Sequence, residues 1–298
     1  LHRLAWEVSI MHDPIFTGVC TALVTPFLEG SVNYPMLEQL IYRQAEAHIS
    51  ACVLSGTTGE SPTLSDKEKL TMFRRAKEAA PEDMVIIAGT GSNSTAHAIS
   101  LSQAAEDAGV DALLVVSPYY NKATPEGLYA HYAAIAGSVH IPVIAYNVPG
   151  RTGVDIPVEV YRRLADIPNI AGVKEASTDI RKIARIRSVC PARFAVWCGN
   201  DDLAVPAMAI GAKGLVSVVS NVEPEMTNAM VGAALDGDFD TAATLQLELM
   251  PLIGTLFREV NPIPVKAAMG LIGWDCGGCR LPLCGPSDET VAILEDLL

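Results

Sequence analysis

In the run NIAGVKEAS, residues 169–177, a lysine stands near the end of a short apolar segment that reads as a buried strand. A buried ammonium is costly unless it is paired or gives up its proton, so Lys174 needs a chemical reason to be there. On a strand it shares its face with Gly172 and Ala176, two small residues that leave room for a ligand beside the nitrogen. An amine desolvated in this way has a lone pair available to attack a carbonyl and form a Schiff base, whose iminium then draws electrons from the neighbouring carbon. The bland alternative is a lysine that snorkels to the surface or pairs with Glu175.

Other residues suit the same chemistry. GTTG, residues 56–59, offers the hydroxyls of Thr57 and Thr58 and a run of backbone N–H groups between permissive glycines, a cradle for a small carboxylate, although such a tetrapeptide also serves as a plain turn. Tyr146 shares its strand face with Ile144 and can point its phenol inward, either as a proton carrier or simply as core filling. Arg151 follows in a Pro-Gly turn, where a guanidinium can fork onto a carboxylate or merely be solvated. CGGC at 276–279, with Cys284 nearby, raises the question of zinc. No second pair or histidine partner follows, so free thiols are expected and no metal.

Placing these side chains together requires a particular scaffold. Short β-rich runs alternate with amphipathic segments, and eight strands are expected at 18–26, 51–56, 84–91, 111–118, 142–147, 170–176, 194–199 and 214–220. Helices are expected over 65–80, opened by a Ser65/Glu68 capping box, and over 93–109, closed by Gly109. This pattern predicts an α/β fold, a (β/α)₈ barrel over 17–236, followed by a helical extension over 237–298. Residues 1–16 read as a leader, with the part before Met11 expected to be non-native. In such barrels the sites lie on loops after the strands, where GTTGE, GTGSNST, SPYYN, YNVPGRTG, VKEAS and CGNDD all fall. A net charge of −13 opposes non-specific binding to nucleic acid or anionic membrane, and no uninterrupted apolar stretch suits a membrane span. Seven cysteines, an odd number scattered mainly through apolar segments, suit a reducing cytoplasm.

Taken together, GTTGE, GTGSNST, SPYYN, YNVPGRTG, GVKEAS, NPIPVK and RLPL make the chain resemble the dihydrodipicolinate synthase/N-acetylneuraminate lyase family of Schiff-base (β/α)₈ enzymes, from about Thr17 to the C-terminus. The resemblance implies Lys174 as the Schiff-base lysine for pyruvate, with no cofactor. It implies Thr58 and adjoining backbone as the holder of the pyruvate carboxylate, and Tyr146, Thr57 and Tyr120 as a proton relay. Arg151 would hold the carboxylate of L-aspartate-4-semialdehyde, and Gly199 and Val216 would line the pocket. It further implies a homotetramer, a dimer of dimers in which Tyr120 is exchanged between neighbouring subunits.

Within the family, Thr57, Asn147 and Arg151 fall on the synthase side, whose members join pyruvate to the semialdehyde on the route to diaminopimelate and lysine. The alternative is another pyruvate-dependent aldolase, an N-acetylneuraminate lyase or a 2-keto-3-deoxy sugar acid aldolase. Members inhibited by lysine carry a glutamate where this chain has His97, and often a histidine where it has Lys69, in a groove with Ser61, Asn93 and Tyr119. Replacing an anion by a mostly neutral ring and adding a cation implies insensitivity to L-lysine. Two other classes are weaker. A non-catalytic scaffold would have no need of Lys174 and Tyr146, and a phosphate-binding barrel would carry its Gly-rich loop after strands seven and eight.

Overall fold

The strands were expected where apolar runs are nearly continuous, and that continuity has a direct structural cause: each strand is buried on both faces. The computed structural model describes residues 13–298. The leader expected over 1–16 therefore lies mostly outside the described residues. Eight parallel strands, β1 (Gly18–Ala22), β2 (Ala51–Leu54), β3 (Val85–Gly89), β4 (Ala112–Val116), β5 (Val143–Asn147), β6 (Ile170–Glu175), β7 (Ala195–Cys198) and β8 (Gly214–Ser217), close into a barrel with β8 pairing back onto β1.

Alternate residues divide the core in two. One set, including Cys20, Val53, Ile87, Leu114, Ile144 and Trp197, fills the barrel, while the other packs outward against the helices. Below, Phe16 stacks on Trp197 with centroids 4.9 Å apart, and the indole N–H donates to the Phe16 carbonyl. The open end is thus the end at which the strands terminate, where Lys174 and Tyr146 stand.

The expected capping box is present: the Ser65 hydroxyl accepts from the Glu68 N–H, and the Glu68 carboxylate accepts from the Ser65 N–H, opening the helix Asp66–Ala79. The helix Thr95–Asp107 ends before Gly109, whose φ of +86° suits glycine. After β8 come the helices Pro224–Leu235, Phe239–Leu256, Ile263–Leu271 and Asp288–Leu297, with no further strand among the described residues.

Every strand is shorter than expected, by one to four residues, and β1 by the most. β1 stops at Ala22, four residues before its expected end at 26, and a small hairpin, Phe27–Leu28 with Ser31–Val32, follows beyond that end. β8 stops at Ser217 because Asp201 accepts from the N–H groups of Val218 and Val219 and the Ser217 hydroxyl from that of Ser220, turning the chain into a short 3₁₀ helix, Val219–Asn221. The Pro-Gly turn around Arg151 is a one-turn helix, Pro149–Thr152.

Candidate active site

Lys174 projects into the barrel, as its parity with Gly172 and Ala176 requires, and is 6% exposed. Its neighbours across the sheet are Tyr146 on β5 and Trp197 on β7. Its amine lies 4.3 Å from the centroid of the Tyr146 ring. Glu175 points the other way, between barrel and helices. There its carboxylate accepts from Asn147 Nδ2 at 2.9 Å, the Ser177 N–H at 2.8 Å and the Tyr161 hydroxyl at 3.2 Å, with Lys182 Nζ at 3.8 Å. The pairing of Lys174 with Glu175 is therefore not made, and among the described residues no carboxylate lies within ion-pair distance of the Lys174 amine.

Space around the lysine depends on absent side chains. A Cβ at Gly199 would stand 3.0 Å from Lys174 Cε and 2.7 Å from the Ala176 methyl. At Gly172 it would stand 2.0 Å from the Ala195 carbonyl oxygen, so only glycine allows β6 and β7 to approach this closely. Deeper in the barrel, burial pushes the Cys20 thiol up to about 12, which keeps it protonated and unreactive beside the amine.

A cavity of about 940 Å³ opens above the lysine, lined by Thr57, Thr58, Tyr146, Arg151, Lys174 and Gly199 among others. A second, of about 660 Å³, shares Thr57, Tyr146 and Arg151 and runs on to Ser61, Lys69, His97 and Tyr119. Six of the eight candidate residues thus gather at one mouth. Val216 does not line either cavity: it is buried in the barrel, and Val218, two residues on, takes the rim position. Tyr120 lines neither, being 91% exposed in the loop after β4 with a φ of +69°. Asn93, expected in the groove, does not line the second cavity, and its carbonyl accepts from Asn121 Nδ2.

Asn261 is a site residue that sequence reasoning passed over. It comes from the segment before the helix Ile263–Leu271, lines both cavities, donates from Nδ2 to Thr58 Oγ1 at 3.0 Å and accepts from Arg151 through its backbone oxygen at 3.3 Å. Its side-chain oxygen is buried with no partner. The NPIP run that contains it carried a signal, since a polar residue ahead of two prolines marks a fixed, non-helical backbone. Asp201 was likewise unassigned. It is buried, which raises its carboxyl pKa, and it holds the end of β8 through Ser217, Val218 and Val219. Among the described residues no group of three or more His, Cys, Asp or Glu side chains is arranged to hold a metal ion, and Cys276, Cys279 and Cys284 are unpaired thiols.

The arrangement has one nucleophilic amine beside a phenol, two hydroxyls at the wall and a guanidinium at the rim. It can capture a small keto acid, hold its carboxylate and move protons around an imine. Residues 15–298 match the Dihydrodipicolinate synthetase family. A 4-hydroxy-tetrahydrodipicolinate synthase of Acetivibrio thermocellus is 46% identical over 97% of this chain and 98% of its own. The structure of the chloride-inhibited dihydrodipicolinate synthase from Acinetobacter baumannii complexed with pyruvate is similar with a TM-score of 0.92 at 42% identity, covering 94% of this chain and 97% of that one. A structure of a monomeric dihydrodipicolinate synthase variant gives a TM-score of 0.93 at 41% identity, over 95% and 96%.

Proposed function

The chain belongs to the dihydrodipicolinate synthetase family, and from that premise we propose how its mouth residues work. The enzyme is a 4-hydroxy-tetrahydrodipicolinate synthase that condenses pyruvate with L-aspartate-4-semialdehyde in the biosynthesis of diaminopimelate and lysine. The observation that carries the residue roles is the Lys174 amine, free of any carboxylate among the described residues and set over the Tyr146 ring at 4.3 Å on the floor of the larger cavity.

The Lys174 amine adds to C2 of pyruvate, and the carbinolamine loses water to give an iminium. C3 then gives up a proton, and the resulting enamine attacks the aldehyde carbon, whose oxygen takes up a proton and becomes the hydroxyl. The amine of the semialdehyde adds to C2, displaces Lys174 and closes the ring, so each turn releases one water and returns the free lysine. Thr58 and the adjoining N–H groups hold the pyruvate carboxylate, Arg151 the carboxylate of the semialdehyde, and Tyr146 and Thr57 carry protons to and from C2 and C3. The chemistry runs on the covalent imine with no cofactor.

Tyr120 completes the relay from the neighbouring subunit of a homotetramer. In support, it is almost wholly exposed on its own chain and is held in a left-handed conformation that a non-glycine residue adopts at some cost. No helix among the described residues is long and apolar enough to cross a membrane, and we place the enzyme in the cytoplasm. The test is product formation from the two substrates, coupled to the next reductase and read as NADPH loss, with Lys174→Ala as control. Turnover that survives Lys174→Ala would remove the nucleophile, and borohydride trapping with pyruvate would report the imine independently.

A further inference from the structure

We propose that Glu60 and Lys266 are positioning residues for the keto-acid carboxylate, through which the C-terminal helices set the Thr57–Thr58 loop. The inference rests on the reading that this loop binds pyruvate.

Glu60 directly follows the loop and is itself in a left-handed conformation, φ +55° and ψ +38°. A non-glycine residue holds that backbone only where its surroundings enforce it. The enforcing contacts come from more than 200 residues away. The Lys266 amine, on the helix Ile263–Leu271, donates to Glu60 Oε1 at 3.0 Å, to the Thr25 carbonyl at 3.0 Å and to the Gly278 carbonyl at 2.8 Å, which uses all three of its protons. The other Glu60 oxygen accepts from the Arg280 N–H at 2.9 Å. Both charged side chains are sealed from solvent, at 2% and 0% exposure.

The pair is tied to the loop at close range. The Glu60 N–H donates to the Thr57 carbonyl at 3.1 Å, and the Thr25 hydroxyl, whose own carbonyl receives Lys266, donates to the Gly59 carbonyl at 2.7 Å. Five residues before Lys266, Asn261 reaches the Thr58 hydroxyl. One stretch of chain, Asn261 and the helix that follows it, therefore grips the loop at Thr58 through Asn261 and behind it at Glu60 through Lys266. A buried ion pair is weak evidence for stability, since a well-packed apolar pair often does as well. Its retention directly behind a binding loop is accounted for by the conformation it imposes.

The test compares Glu60→Gln, Lys266→Met and the double variant, which removes both charges together. Lys266→Arg, which keeps the charge but displaces its point of attachment, serves if a single variant does not fold. Each is measured for thermal midpoint, for the pyruvate concentration that half-saturates borohydride trapping on Lys174, and for both KM values and kcat. The expected result is a rise of about tenfold in the pyruvate half-saturation and in KM for pyruvate, the size of one lost hydrogen bond, with KM for the semialdehyde changed less than about twofold. That rise persists in the double variant even where its thermal midpoint recovers. A midpoint that falls while pyruvate saturation is unchanged, or a double variant that restores both, would overturn the proposal. Wild-type protein that gives no pyruvate-dependent adduct would instead overturn the underlying keto-acid reading, and the proposal with it.

Discussion

Substituting Gly199 by alanine places one methyl group against the reacting lysine. The new Cβ would lie 3.0 Å from Lys174 Cε, 2.7 Å from the Ala176 Cβ and 3.2 Å from the Glu175 carbonyl oxygen. The backbone has little freedom to retreat, because the Gly199 N–H donates to that same carbonyl at 2.8 Å and the Ala176 N–H to the Asn147 carbonyl at 2.9 Å. The lysine chain must therefore give way, and the backbone must shift as well, because the Ala176 methyl cannot turn aside. Carbon atoms rest at roughly 3.5–4.0 Å, so Cε has to move by about 0.5–1 Å. A misplacement of about 1 Å costs on the order of 100-fold in rate, or about 2.7 kcal/mol in the barrier. We expect Gly199→Ala to lose about 100-fold in kcat/KM, with a smaller effect on thermal stability, and to trap pyruvate more slowly under borohydride. Gly254→Ala is the control: it lies on the helix Phe239–Leu256 with nothing within 4 Å of its added methyl, and should leave kcat/KM unchanged. Gly199→Ala activity within about threefold of wild type would show that the lysine is not held at this wall, since a displacement on that scale should be felt.

L-Lysine should not inhibit at sub-millimolar concentration. In the second cavity the Asp66 carboxylate already faces His97 Nε2 at 2.9 Å and the Lys69 amine at 4.0 Å, leaving little negative charge for an incoming ammonium, and calorimetry showing tight lysine binding would refute this. Lys182→Met leaves Glu175 buried without its ammonium, and should destabilise the fold by about 3 kcal/mol in denaturant titrations; unchanged stability would show the pair to be dispensable. His131 is held by burial at a pKa of about 4, against about 6.5 when unfolded. The unfolded chain therefore takes up a proton first, so the contribution is full above pH 6.5 and is lost as pH falls towards 4, by up to about 3 kcal/mol. His131→Phe should lack that portion of the acid sensitivity, and parallel stability curves for the two proteins would contradict it. Tyr120→Phe mixed with Lys174→Ala should regain activity in hybrid oligomers, and no recovery after verified subunit exchange would count against a shared site.

How much of this could be read in the chain depends on the kind of information each feature needs. The eight strands were legible because a parallel strand covered on both faces is apolar throughout, and Lys174 stood out because it breaks that rule. Strand parity also told which way Lys174 and Tyr146 point, and both do point inward. Parity cannot tell how high on the barrel wall a residue stands, since that depends on how neighbouring strands are staggered. Val216 shows the difference: it faces inward as expected but sits below the mouth, and Val218 holds the rim because Asp201 bends the chain just after Ser217. Lys174 standing level with Tyr146 is likewise a matter of register between β5 and β6. Asn261 and Lys266 were further out of reach. Their partners, Thr58 and Glu60, lie 203 and 206 residues away, and no local pattern encodes a contact over that distance. The C-terminal helices read as an appendage because amphipathic spacing reports only that a helix covers something. The polar atoms that turn this cover into one wall of the site become visible only when the chain is folded.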